Sequence, residues 1–109
     1  MSDAFSSREK GFESKFQLDQ EQQFRAAARR DRIFGQWAAG KLGYSGDAVT
    51  KYAAEVVDSN FEKPGDDDML GKVKADFKAK GVTVSDADVS KALLDAYGTA
   101  AQQISSEKK

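Results

Sequence analysis

The side chains of this sequence whose types and spacing could do chemistry are few, and each has a plainer use. Asp66, Asp67 and Asp68 stand side by side, and three adjacent carboxylates suggest a cation site. They lack the spacing and closing glutamate of a calcium loop, however, and acids in the first turn of a helix stabilise the positive end of its dipole. Tyr44-Ser45-Gly46 does not form a nucleophile elbow and has no histidine to activate the serine. Asp58-Ser59 matches the attachment dipeptide of an acyl carrier, but Ser59 falls near the end of an expected helix instead of opening one, and carriers are far more acidic. The glycine-rich run GKLGYSG at 40–46 is no phosphate loop, because no strand precedes it and no GK[ST] follows. Arg25, Arg29, Arg30 and Arg32 gather positive charge; a solvated helix face, with Glu21 four residues before Arg25 as its ion pair, explains them better than a phosphate site. The chain has no histidine and no cysteine, which removes the commonest general base and the thiol nucleophile. No catalytic, metal-binding or cofactor-binding residue is assigned, and an enzyme is not expected.

Binding chemistry is more visible. Phe5, Phe12 and Phe16 punctuate an N-terminal segment with charges of both signs, and Phe12, Phe16, Gln20 and Phe24 lie near one helical face at spacings of four. Ser6 followed by Glu9 fits a capping box, so helix can begin near Ser7, although Gly11 weakens it by about 1 kcal/mol relative to alanine. The segment has too few apolar residues to pack on its own body. It is either a solvated tail or an arm that is frayed when free and helical on a partner. In the second case Phe5, Phe12 and Phe16 are the apolar anchors, and Arg8, Glu9, Lys10, Glu13, Lys15 and Asp19 join them in the partner-binding set, the charges setting register.

Four apolar stripes of helical period follow, separated by glycine and proline signals. They predict helices near 20–41, 47–61, 66–80 and 86–104, with Phe24, Phe34, Trp37, Tyr52, Val56, Phe77, Leu93 and Tyr97 in the core. Pro64 breaks the chain after the second helix, Gly81 closes the third, and Ser85 with Asp88 opens the fourth. The strand-like residues 82–85 are too few for a sheet. Short connections imply antiparallel neighbours, so the expected fold is all-α: a mobile arm at 1–18, a small four-helix bundle at 19–105 and a tail at 106–109.

Composition narrows the function. The chain has 109 residues with 17 basic and 18 acidic side chains, and a net charge of −1 does not suit a nucleic-acid binder built on bulk electrostatics. No apolar run is long enough to span a membrane, and the first residues carry no signal-peptide core. The absence of cysteine fits a reducing compartment. A monomeric helical adaptor, or a bundle that carries a small ligand or nucleotide between its helices, agrees with all of this, though no phosphate motif supports the nucleotide.

Several motifs carry a more specific resemblance. FxxREKxFExKF at 5–16, Asp19 with Glu21, FRAxARR at 24–30 and WAAGKLG at 37–43 are similar to the alphaproteobacterial zeta subunit family, small inhibitors of the F-type ATP synthase; YAxEVV at 52–57 and DFxxxG at 76–81 extend the match along the chain. The resemblance implies a four-helix bundle with a mobile N-terminal arm that folds as a helix into the cleft between catalytic and non-catalytic subunits, near the rotor shaft, and blocks rotation in the hydrolysis direction. It implies a cytoplasmic protein, peripheral to the inner membrane through the synthase, with the catalytic head as partner.

Overall fold

A computed structural model describes residues 18–61 and 65–107. Four helices make up most of that backbone: α1 (Gln20–Lys41), α2 (Asp47–Phe61), α3 (Asp67–Ala79) and α4 (Asp86–Glu107). The described residues contain no strand; residues 82–85 are coil that lays Val82 and Val84 against the core. The arm residues from Phe5 to Phe16, the Ser6–Glu9 capping box and the break at Lys63-Pro64 lie outside the described residues.

Helix ends follow from local chemistry. Asp19 caps α1: its carboxylate accepts from the Gln22 N–H at 2.7 Å, and the Gln22 side-chain oxygen accepts from the Asp19 N–H at 3.1 Å. This reciprocal pair satisfies two donors that a helix start would leave unpaired. At the other end Tyr44 N–H donates to the Ala39 carbonyl at 3.0 Å and Gly43 N–H to the Gly40 carbonyl at 3.1 Å, with Gly43 at φ 88°. That is a Schellman closure, which needs a residue at ease in the left-handed region. Gly43 therefore stops the helix, and Gly40 is still helical. α3 ends the same way, through Val82 N–H to the Phe77 carbonyl at 2.8 Å. The Asp88 N–H donates to Ser85 Oγ at 3.1 Å and opens α4.

α1 is the axis of the molecule. It packs on α2 and on α4 along its length, and α2 packs on α3. The main core joins Phe34, Ala38 and Ala39 of α1 to Tyr52 and Val56 of α2, Met69, Val73 and Phe77 of α3, and Val89 and Ala96 of α4. Trp37 stacks on Phe34 with ring centroids 5.6 Å apart and meets Phe77 edge-on at 5.9 Å. It is half-buried at the rim of the core, as is Leu93; Tyr97 borders a second, smaller cluster of Leu18, Ala26, Ala101 and Ile104. α1 and α2 approach on their backbones, because a Cβ at Gly35 would stand 2.8 Å from Ala53 Cα.

Three expectations are corrected. Phe24 is not a core residue; 66% of its surface is exposed. α1 has 22 residues and α2 has 15, so α1 is longer by about 10 Å and its first turns run past its neighbour. There α1 is covered by α4 instead, on the side of Ala26, and two residues further along turns the helix by about 200° away from Phe24. Leu18, expected to end the arm, belongs to the bundle: it is 7% exposed and packs in the second cluster. Residues 106 and 107, part of the expected tail, are helical, and α4 continues to Glu107.

Candidate functional site

Three polar clusters of the described chain tie its helices together, each at a different place in the bundle. The first is at the open end of α1. Arg25 and Arg29 project from its second and third turns toward the last turn of α4, where both pair with Glu107; the Arg25–Glu107 distance is 3.3 Å. The hydrogen bond from Arg29 is the main reason that the Glu107 carboxyl is held below its usual range, with the charges of Arg29 and Arg25 adding to it. Arg25 thus turns to Glu107 and not to Glu21. Beside this pair, Phe24, Ala28, Val57 and Ile104 form a shallow apolar hollow of about 350 Å³ rimmed by Arg25, Arg29 and Arg32.

The second group ties α1 to the α2–α3 junction. Asp31 lies on the buried stripe of α1, at 6% exposure, three and seven residues before Phe34 and Ala38. Arg30 reaches its Oδ1 through Nη2 at 2.8 Å and also Asp66 Oδ1 at 2.8 Å; Asn60 donates to Asp31 Oδ2 at 2.8 Å and to Asp66 at 3.2 Å. Burial opposes the charge on Arg30, but Asp31 and Asp66 outweigh it and hold the guanidinium above its ordinary pKa. A buried carboxylate is tolerated only when paired and hydrogen-bonded, as here. Asp66 accordingly does not act with Asp67 and Asp68 as a set of helix-start acids: it occupies the N-cap of α3, makes no side-chain cap, and turns to Arg30. Among the described residues no group of three or more acids is placed to hold a metal ion.

The third group lies between α2 and α3. Tyr52 donates to Asp76 Oδ2 at 2.7 Å, Lys72 pairs with Asp76 at 3.1 Å and with Glu55 at 3.4 Å, and its ammonium stands 5.2 Å from the Tyr52 ring centroid. Burial, and then the bond to Asp76, push the Tyr52 phenol well above its ordinary pKa. These charges and hydroxyls are matched to one another across two helices, as a structural tie is.

Of the residues assigned to partner binding, Phe5, Arg8, Glu9, Lys10, Phe12, Glu13, Lys15 and Phe16 lie outside the described residues, and Asp19 caps α1. Of the expected core, Phe34, Tyr52, Val56 and Phe77 are buried. Asp31, Asn60 and Glu107 were missed. Asp31 had a signal, a charge on an apolar stripe; Asn60 and Glu107 had none, because their partners are distant in sequence.

Among the described residues the polar clusters tie helices to one another, and an exposed aromatic and several arginines gather at one end of α1. A family model for ATPase inhibitor subunit zeta matches residues 1–103. The chain belongs to the ATPase inhibitor subunit zeta family. No curated protein matches it. Membership makes it a regulatory ATPase-inhibitor subunit that interacts with an ATP synthase. No helix among the described residues is long and apolar enough to cross a membrane.

Proposed function

We propose that this protein restrains ATP hydrolysis by the F-type ATP synthase by inserting its N-terminal arm, residues 1–17, as a helix into the catalytic head. The cleft between a catalytic and a non-catalytic subunit, close to the rotor shaft, takes the arm, and the bundle is its mount. Phe5, Phe12 and Phe16 are the anchors, because desolvated aromatics carry most interface energy. Arg8, Glu9, Lys10, Glu13 and Lys15 set the register and reject wrong partners. A short helix of this composition is marginal in water, so packing in the cleft supplies the stability that the isolated segment lacks, and the ordering term keeps the block reversible.

The observation that carries this reading is the anchorage of α1. Leu18 is buried between α1 and α4, and the Asp19–Gln22 capping pair fixes the backbone direction one residue later. A rotor can be stalled only by a wedge whose base is held, and this junction holds it. The test is deletion of residues 1–17, leaving Leu18 in place. Inhibition of hydrolysis by the purified synthase head should be lost while circular dichroism reports the same melting of the bundle. Phe12→Ala and Phe16→Ala should weaken inhibition with melting unchanged. Full inhibition by the truncated chain would show that the arm is not the inhibitory element.

A further inference from the structure

We infer that the hollow around Phe24 is a second docking surface, which seats the bundle on an acidic face of the ATPase head beside the cleft that takes the arm. The inference rests on the proposed function for the identity of the partner and adds to it a contact made by the folded body.

Phe24 is the large hydrophobic side chain left exposed among the described residues, at 66%. An aromatic ring in that position gives up its apolar burial in the free protein, and the gain is realised only when something covers it. It does not stand alone. Ala28, Val57 and Ile104 form a floor beside it, and Arg25, Arg29 and Arg32 form the rim. An apolar centre within a ring of arginines has the composition of an interface hot spot. The lining holds three guanidiniums and no carboxylate. Glu107 pairs with Arg25 and Arg29, Glu21 flanks Arg25 one turn earlier, and Asp58 lines the adjoining hollow with Arg32, so the acids stand outside the hollow and the guanidiniums at its rim. The rim of the hollow is basic, and a carboxylate entering it would complement the guanidiniums there.

Charge also selects among occupants. Residues 1–17 hold three acids (Asp3, Glu9, Glu13) and three bases (Arg8, Lys10, Lys15), so the arm's side chains sum to zero and offer no net complement. A second copy meeting this face across a two-fold axis would set arginines against arginines. The head is favoured by position as well. Phe24 comes six residues after Leu18, about 9 Å along the helix from the point where the arm leaves the bundle. A partner that reaches the point where the arm joins the bundle comes close to the hollow.

The experiment uses the full-length chain with two variants, Phe24→Ala and the charge reversal Arg32→Glu, which leaves the pairing of Arg25 and Arg29 with Glu107 in place. Both sites are exposed, so melting by circular dichroism should match the parent. The half-inhibitory concentration against the purified head should rise about tenfold or more for each. Inhibition by the parent should also weaken as salt rises from about 50 to 500 mM, and the charge-reversed chain should lose that dependence. Parent-like inhibition with parent-like salt dependence in both variants would overturn the docking surface and leave the arm reading intact, since the arm is unaltered in both. Failure of the arm reading is seen separately, in the deletion of residues 1–17. If sedimentation shows the parent dimeric and the variants monomeric with inhibition unchanged, the face belongs to a second copy and the inference is overturned.

Discussion

Gly35 offers a test in which two physical effects predict opposite signs. Glycine inside a helix is worse than alanine by about 1 kcal/mol, so propensity alone makes Gly35→Ala stabilising. The added methyl, however, would stand 2.8 Å from Ala53 Cα, 3.1 Å from Val56 Cβ and 3.3 Å from Ala53 Cβ. Carbon atoms are comfortable at about 3.5 Å or more, so α1 and α2 must part by roughly 0.7 Å at their crossing. The obstructing atom is backbone and cannot rotate aside. Overpacking of this kind costs about 1–3 kcal/mol, and the rigid neighbour places it at the upper end. Subtracting the propensity gain leaves a net loss of about 2 kcal/mol, or about 8–16 °C in melting temperature for a domain of this size. Gly71, in α3, is the matched control: a Cβ there meets nothing within 4 Å, so Gly71→Ala should gain about 1 kcal/mol. Thermal and urea unfolding of the two variants decides the matter. A Gly35→Ala protein that melts as high as Gly71→Ala would refute the close approach of α1 and α2.

Two further outcomes follow from the polar clusters. Arg30→Met removes the cation beside Asp31, whose side chain is 8% exposed, and should cost about 3–5 kcal/mol, whereas Asp66→Asn, at a side chain 35% exposed, should cost about 1 kcal/mol; urea unfolding that ranked them the other way would contradict the lock. Glu107 has a folded pKa below its ordinary 4.5, so its pairing with Arg25 and Arg29 stabilises the fold above that value and is lost as pH falls through the lowered one; the gap in melting temperature between the parent and Glu107→Gln should be present at pH 7 and close in acid.

The helices were legible in the sequence because each carries its own signal. A stripe of 3.6 period, a cap at Asp19 or Ser85 and a left-handed glycine at Gly43 or Gly81 are all local, and they placed the elements to within about three residues. What failed was non-local. Phe24 continues the stripe of α1 one turn beyond the reach of α2, and periodicity carries no information about the length of the neighbour that must cover it. The local pattern of the arginines predicts a solvated face with a nearby partner, yet Arg25 and Arg29 find Glu107, and Arg30 finds Asp66, 36 residues away. Asp31 was the legible warning, since a carboxylate in phase with Phe34 and Ala38 must either break the stripe or bring a cation into it.

These two failures have one cause, and it bears on how the protein works. Both concern α1, the helix that receives the arm. Its middle is locked by Arg30 and Asp31 to the α2–α3 junction, and its start is held by Leu18 and by the pairing of Arg25 and Arg29 with Glu107. Buried ion pairs add little net stability compared with apolar packing, but they tolerate only one arrangement of the helices that share them. A helix fixed at its start and middle passes a push on the arm to the whole bundle, whereas a helix free to fray would absorb it as local unfolding. At this end of α1 the side of Ala26 is packed and fixes the helix, while the side of Phe24 is uncovered and is the one that the proposed docking surface would use.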